Sequence, residues 1–243
     1  MSRLAKTNGI VLHQIKYGDS SIIVRIYTEE FGVQSYLIRG IKNKKSKIKS
    51  SLFQVGNILD MVVYRNENRS VQHVKEVQIA FPSNSILSDV KKKAIVIFMI
   101  ELFYRSIIEE EPNKPLFNFI VNSIRKLDSK EEKYANLHLV FSIHLTQYLG
   151  FLPRKNFSKT EKFFDMNEGI FVNQQPHHDH YLTPLLSSRF FEFLITDYDE
   201  MHKISMTGRS RMELLEKLIE YYRLHLPLFG EIKSHHVLSV VLA

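Results

Sequence analysis

The chain has 243 residues, more than one small barrel needs and enough for two modest domains. It contains no cysteine, which excludes disulfides and any thiolate-ligated zinc site. Basic residues outnumber acidic ones by 33 to 26, and the resulting net charge of +7 favours a polyanionic partner such as nucleic acid, or an anionic membrane surface.

Residues 1–81 have the pattern of a small β domain. Apolar side chains alternate with a period of two in 21–28, and turn signals such as Tyr17-Gly18-Asp19-Ser20 separate the extended segments. Strands are predicted at 9–17, 21–28, 33–40, 57–64 and 70–79. Five short strands indicate a barrel or a sandwich, and a five-stranded barrel that binds nucleic acid is the OB-fold.

Near Pro82 the apolar spacing changes to three or four residues, which indicates helices. They are predicted at 85–110, 114–127, 131–149, 185–195, 209–224 and 234–242. Gly150 is a predicted helix stop, Thr207 or Ser205 a predicted helix cap, and the proline-containing stretch 151–184 is expected to be irregular. We therefore expect a multi-domain α+β protein, with an OB-fold domain over 1–81 and a helical domain over 82–243 that contains a small insertion around 154–184.

The connection between the third and fourth predicted strands is strongly basic. No acidic residue occurs between Phe31 and Leu59. The basic residues of this stretch are Arg39, Lys42, Lys44, Lys45, Lys47 and Lys49. Six such cations that contact the phosphates of a single strand predict a log–log salt slope of about −4. A solvated loop, or a sheet edge protected by lysines, is the alternative interpretation.

Residues of the flanking strands complete the predicted nucleic-acid-binding set. Arg25 and Tyr36 belong to it, and the rings of Tyr36, Tyr27 and Tyr64 are candidates for stacking on bases. Contacts between lysine and phosphate distinguish no base from another, so binding is expected to be independent of sequence.

Catalytic signatures are missing from the sequence. Neither a phosphate-binding glycine loop nor a nucleophile elbow occurs, so we predict no enzymatic activity, no catalytic residue and no cofactor. The run His177-His178-Asp179-His180 does not have the spacing of a metal site, so no metal ligand is predicted there. The longest apolar run, 94–100, is far shorter than the ~20 residues of a membrane span, and no signal peptide is evident. We expect a cytoplasmic, nucleoid-associated protein that contacts no membrane.

Short motifs in order along the chain resemble the bacterial RecO family of DNA-repair proteins. The motifs are Gly9-Ile10-Val11-Leu12 with Tyr17-Gly18-Asp19-Ser20, Thr28-Glu29-Glu30-Phe31-Gly32, Arg39-Gly40 with Lys45-Ser46-Lys47 and Leu52-Phe53-Gln54, Glu101-Leu102, Phe141 and Leu145 with Leu149-Gly150-Phe151-Leu152-Pro153, and 214–226 with Lys233-Ser234. Each motif is short, and it is their order and spacing over nearly the whole chain that make the resemblance.

The resemblance implies an N-terminal OB-fold and a C-terminal helical domain. It also implies binding of single- and double-stranded DNA, annealing of complementary strands, and a mediator role in the RecFOR pathway. The implied partners are RecR, the C-terminal tail of single-strand-binding protein and, indirectly, RecA. Arg39, Lys45 and Lys47 match the basic loop of the family and are expected to contact DNA.

One departure concerns zinc, because many members of the family carry four cysteines after the Leu-Gly-x-x-Pro element. The corresponding stretch here, 154–180, has none. We expect a ribbon-like hairpin at 167–171 that is held by Phe163, Phe164 and Phe171 instead of a metal.

Three other functions stay open at this point. An OB-fold protein can serve RNA, as a translation or ribosome-assembly factor. A nuclease could use the acids together with 177–180, and a transcription regulator could combine a DNA-binding domain with a helical sensor. Arg209 and Arg211 are the candidates for DNA contact on the helical domain.

Overall fold

A computed structural model of the protein describes residues 3–41, 48–107, 111–129 and 133–242. The chain forms two compact units, one from Met1–Ser88 and Glu109–Asp128, and the other from Asp89–Ile108 and Ser129–Ala243. The predicted boundary near residue 82 lies close to the first break between these units. Each unit consists of two separate segments, however, because a later helical segment groups with the N-terminal unit.

The first unit contains a closed five-stranded barrel. Its strands are β1 (Arg3–Tyr17), β2 (Ser21–Thr28), β3 (Gly32–Arg39), β4 (Ile58–Arg65) and β5 (Val71–Ile79). They follow the order β1-β2-β3-β5-β4, and β4 pairs with β1 to close the barrel. Only the β3–β5 pair is parallel. This five-stranded arrangement confirms the predicted OB-fold.

Alternation along the strands fills the barrel. In β2, Ile22, Val24 and Ile26 are buried, whereas Ile23 and Arg25 between them are only half-buried. Phe53, in the 3₁₀ turn Ser50–Phe53 that precedes β4, is fully buried in the same core.

Gly9 lies in β1 where the strand pairs with β2 and β4 at once. A Cβ atom there would lie 2.5 Å from Ile26 Cγ2 and 2.7 Å from Met61 Cε. The close approach of the neighbouring strands therefore requires glycine at this position.

The described residues include seven α-helices. They are α1 (Asn84–Ser88), α2 (Val90–Ser106), α3 (Lys114–Ser129), α4 (Leu137–Tyr148), α5 (Pro184–Ile195), α6 (Gly208–His225) and α7 (Ser234–Val241). Within the described part of the chain, no helix has both the length and the apolar character that a membrane crossing requires.

Two of these helices belong to the barrel unit. The hydroxyl of Tyr27 in β2 donates a hydrogen bond to the backbone carbonyl of Asn113 just before α3, at 3.2 Å, and the Tyr27 and Phe117 rings lie 6.0 Å apart. At the other end of α3, the carboxylate of Asp128 accepts hydrogen bonds from the backbone N–H groups of Ser85 and Ile86, at 3.0 and 2.9 Å. These contacts explain why α3 groups with the barrel.

The second unit is built around α2 and α4, most of whose apolar side chains are buried; for α2, the sequence predicts such a central helix. The prediction of one helix from 85 to 110 was wrong, because Asp89 has an extended backbone and caps α2 instead. Its carboxylate accepts from the backbone N–H groups of Lys91 and Lys92, at 2.8 and 3.2 Å. Gly150 has φ +85° and lies just past the end of α4, as predicted.

The stretch predicted to be irregular contains a small antiparallel sheet. Its strands are β6 (Phe163–Asp165), β7 (Ile170–Val172) and β8 (Tyr181–Leu182), in the order β7-β6-β8. The expected hairpin at 167–171 comprises most of the turn between β6 and β7 and the first two residues of β7. We call residues 163–182 the ribbon.

Candidate nucleic-acid interface

One outer face of the barrel is formed by the end of β1, by β2 and β3, and by the start of β5. Residues that are paired across neighbouring strands project to the same side of a sheet, so the register defines three rows on this face. His13, Arg25, Ser35 and Val71 form the first row; Ile15, Ile23, Leu37 and His73 form the second; and Tyr17, Ser21 and Arg39 form the third. We call these residues the basic barrel face, since it contains two arginines and no acidic residue.

The apolar row lies between the two rows that contain arginine. Arg25 and Arg39 are four residues apart in the paired register, which corresponds to about 13 Å along the strands. Arg39 is exposed, and no carboxylate among the described residues forms an ion pair with it. Its charge is therefore available to an external anion.

The other side of the barrel, formed by β4, the end of β5 and the start of β1, has mixed charge. Register places Lys6 of β1 beside Val62 of β4, which in turn pairs with Glu76 of β5. Asp60 is on the same wall, and its carboxylate accepts a hydrogen bond from Gln78 Nε2 at 3.0 Å. These carboxylates repel a polyanion. The basic barrel face is therefore the side of the barrel on which phosphates are expected to bind.

The lysine-rich connection begins and ends on the barrel core. Ile41 donates its backbone N–H to the carbonyl of Ser20 in the β1–β2 turn at 3.0 Å, and both Ile41 and Ile48 pack against the core. Lys49 is exposed and has no carboxylate ion pair within the described part of the chain. The remaining predicted contacts, Lys42, Lys44, Lys45 and Lys47, lie outside the described residues, and their role stays a prediction.

The prediction that Tyr36 and Tyr27 offer their rings to bases was wrong. Each side chain is 1% exposed and belongs to the interior of the barrel unit. Burial raises the pKa of both phenols, that of Tyr27 to about 12. Tyr64 is 41% exposed, and it pairs with His73 of the basic barrel face as well as with Leu4 on β1, so its stacking role stays a prediction.

Sequence reasoning missed His13, Ile15 and Tyr17, which lie on the basic barrel face. Ile15 is 49% and Tyr17 56% exposed. Their spacing along β1 could have indicated this, because residues two apart on a strand project to the same side.

Two family models match the chain one after the other. The N-terminal model of recombination protein O covers residues 1–82, and the C-terminal model of the same protein covers residues 87–235. The chain belongs to the RecO family. A DNA repair protein RecO from Azobacteroides pseudotrichonymphae is 37% identical over 98% of this chain and 99% of its own length. Proteins of the same name from Bacteroides fragilis and Flavobacterium psychrophilum are 39% and 37% identical, each over 97% of this chain and 98% of the relative.

The ribbon of this RecO chain does not fit zinc. The sequence has no cysteine, and no group of three or more potential ligands is close enough to hold a metal ion in the part of the chain that is described. Two of its histidines contact carboxylates instead: His178 Nε2 lies 3.3 Å from Asp165 Oδ2, and His180 Nδ1 lies 2.7 Å from Glu220 Oε1. Burial alone would raise the pKa of Glu220, but the hydrogen bonds from Lys217 and His180 together outweigh burial and lower the pKa of this carboxyl below its ordinary value.

Aromatic rings occupy the interior of the ribbon. Phe164 and Phe171 are each 1% exposed, with their ring centroids 4.9 Å apart, and Phe190 of α5 lies 4.6 Å from Phe164. Phe163 differs from the expectation, because it is half-buried and packs edge-on against Tyr181 instead.

Of the two arginines proposed for DNA contact on the helical unit, Arg209 is exposed but Arg211 is not. The guanidinium of Arg211 donates to Asn136 Oδ1 at 2.9 Å and to the carbonyls of Leu242 and Met206, both at 3.3 Å. The prediction that Arg211 contacts DNA was therefore wrong, because these internal bonds use its donors.

Proposed function

We propose that this RecO chain binds single- and double-stranded DNA through the basic barrel face and the adjoining lysine-rich connection, and that it mediates recombination in DNA repair. In this role it anneals complementary strands and helps to load a recombinase onto DNA coated with single-strand-binding protein. The observation that supports the proposal most directly is the basic barrel face, where two arginine rows enclose an apolar row and no carboxylate intervenes.

The proposed binding mechanism is electrostatic. Arg39, Lys49 and the lysines at 42, 44, 45 and 47 neutralise phosphates and release condensed counterions. Such contacts position the DNA backbone but read no base edge, so affinity is expected to be similar for unrelated sequences.

Annealing follows from the same chemistry, because two complementary strands repel each other until their phosphates are neutralised. A cationic face that holds one strand lowers the repulsion felt by the second. No bond is made or broken in this process, so the proposed role requires neither a catalytic residue nor a cofactor.

The proposed partners come from the family resemblance and not from a surface of this chain. They are RecR, the C-terminal tail of single-strand-binding protein and, through displacement of that protein, RecA. The similarity to DNA repair proteins over nearly the whole chain supports the repair role, within which these partners are proposed.

Charge reversal at the face tests the proposal. The variant R39E/K49E, with and without reversal of the four intervening lysines, should bind all DNA sequences more weakly and show a flatter salt dependence. Lys6→Glu is the matched control, since it reverses one exposed charge on the wall that contains Glu76. Annealing in the presence of single-strand-binding protein should fall in parallel.

Unchanged affinity of the reversed variants at several salt concentrations would remove the face and the connection from the DNA site. A clear preference for RNA over single-stranded DNA of the same length would favour a translation or ribosome-assembly role instead.

A further inference from the structure

The far end of the β1–β2 hairpin has a different character from the rest of the barrel. Pairing between β1 and β4 stops at Ile10, whereas pairing between β1 and β2 continues to Tyr17 and Ser21. Residues 13–20 are all exposed. One edge of the terminal part of β1 thus has no neighbouring strand within the described barrel.

This hairpin end exposes large apolar side chains on the side that also contains the arginines. Ile15 and Tyr17 are two residues apart and therefore project to the same side of β1. Cross-strand pairing extends the apolar surface from Ile15 to Ile23 on β2 and then to Leu37 on β3. A single exposed apolar residue needs no explanation, but a continuous row that ends beside an exposed aromatic ring is a surface suited to an apolar ligand.

The charges around the row indicate which ligand it suits. Arg39 belongs to the row of Tyr17, and Arg25 lies on the other side of the apolar row. Asp19, in the turn that follows Tyr17, places a carboxylate at the hairpin end, which disfavours phosphates there. A ligand whose flat apolar groups alternate with anionic groups satisfies this arrangement, because the apolar row has an arginine on each side.

We propose that Tyr17 and the row Ile15, Ile23 and Leu37 form a subsite for unpaired nucleobases, and that this subsite makes the protein bind single strands more tightly than duplexes. The inference rests on the proposed DNA-binding function. In a duplex the faces of the bases are stacked on one another, so only an unpaired strand can place a base on the tyrosine ring. Phosphate contacts at the arginines are common to both forms of DNA and do not discriminate between them.

Three probes separate base contacts from phosphate contacts: an oligothymidylate strand, a duplex of equal length, and an abasic strand of equal length that has phosphates but no bases. Stacking of one base on an aromatic ring contributes enough affinity that Tyr17→Ala should weaken binding of the oligothymidylate about 5- to 100-fold. Affinity for the duplex and for the abasic strand should stay within about twofold of wild type. Tyr17→Phe keeps the ring and should bind all three probes like wild type.

Leu87→Ala is the matched control, because Leu87 is 56% exposed in the same unit but lies in α1, outside the barrel strands. It should leave the affinity for all three probes unchanged. If Tyr17→Ala weakens binding of the oligothymidylate and of the abasic strand equally, or weakens neither, the proposed subsite is wrong. If the wild-type protein binds none of the three probes, the proposed function itself is wrong. If R39E/K49E weakens binding of all three probes and Tyr17→Ala weakens binding of none, only the subsite is wrong.

Discussion

Glu101 in α2 accepts a hydrogen bond from the backbone N–H of Ser234, the first residue of α7, at 2.8 Å. The same carboxylate accepts from the backbone N–H of Lys233 at 3.2 Å and from the hydroxyl of Ser234. The first N–H groups of a helix lack intrahelical partners and have a partial positive charge. Because α7 has no side-chain cap of its own, Glu101 supplies one from a helix far away in sequence.

Replacement of Glu101 by alanine should therefore destabilise the protein. The N–H groups of Lys233 and Ser234 lose a charged acceptor, and the expected cost is about 1–3 kcal/mol of unfolding free energy. Urea unfolding at neutral pH measures it. Glu213→Ala, which removes an exposed carboxylate from α6, is the control and should change stability by less than about 0.5 kcal/mol. Equal stability of the two variants would show that the cap contributes nothing.

The stability of the ribbon should depend on its aromatic interior. Phe164→Ala removes a ring that contacts Phe171, Phe190 and Tyr221, and the expected loss is about 3–5 kcal/mol. Phe163→Ala, at a half-buried position on the same strand, should cost clearly less. Denaturant unfolding measures both losses of stability, and tryptic cleavage within 151–184 is a second readout. Similar losses of unfolding free energy in the two variants would contradict the assignment of Phe164 to the interior of the ribbon.

Metal removal is a separate test of the same region. We expect that dialysis against a chelator leaves Tm and DNA affinity unchanged, because the chain lacks cysteine and the ribbon histidines lie beside Asp165 and Glu220. The measurement is a thermal melt before and after chelation, with zinc then added back. A drop in Tm that zinc reverses would contradict the expectation.

The sequence was sufficient for the fold wherever local patterns determine structure. The period of two in 21–28 predicted β2 with its observed ends, and the turn at 17–20 joins it to β1. Thr207 caps α6 as predicted, since its hydroxyl accepts from the backbone N–H of Ser210 at 3.1 Å. In these cases the residues that determine the structure are neighbours along the chain.

Side-chain direction at the candidate site was harder to predict. Arg39 and Tyr36 are three residues apart on one strand and so must project to opposite sides, which makes their joint assignment to the DNA surface inconsistent. The register Val24–Tyr36 places Tyr36 inside the barrel. Whether the odd- or the even-numbered residues of β3 face the interior depends on the pairing of β2 with β3 and on barrel closure, and both are tertiary properties.

Arg211 illustrates the same limit in the helical unit. An arginine in the first turn of an amphipathic helix resembles a solvent-exposed cation, and only long-range contacts show that Arg211 is buried. Its acceptor Asn136 is 75 residues away in sequence and also donates to the carbonyls of Met201 and Ile204, at 3.0 and 2.9 Å.

This network predicts that Arg211 acts on stability and not on DNA affinity. Arg211→Met keeps the aliphatic length but leaves the buried Oδ1 of Asn136 without this donor, at a cost of about 2–4 kcal/mol. Arg209→Met, on the exposed position two residues earlier, should leave the unfolding free energy unchanged. Unfolding in urea and DNA titration of the folded variants give the two readouts. A loss of DNA affinity in folded Arg211→Met, with normal stability, would restore the residue to the interface.

His138 should make the helical unit sensitive to mild acid. Its ring is fully buried in α4, edge-on to Phe98. Burial, with a smaller effect of the charge on Arg211, lowers its pKa from 6.5 to about 3. Because the unfolded chain binds this proton below pH 6.5 and the folded chain does not, stability is complete above 6.5 and is lost as the pH falls from there toward 3. Between pH 7.5 and 5.5 this histidine alone should lower the unfolding free energy by about 1.4 kcal/mol.

The variant His138→Phe isolates that contribution, because it keeps an aromatic ring beside Phe98 but cannot titrate. Its unfolding free energy should fall by about 1.4 kcal/mol less than that of wild type over the same pH range. Exposed His202 provides the matched control, and His202→Gln should retain the wild-type pH dependence. If His138→Phe fails to fold, an NMR titration of the wild-type ring decides the question. A His138 resonance that titrates between pH 5.5 and 7.5 would show that the ring is accessible to protons in the native state, and the predicted acid sensitivity would then have no basis.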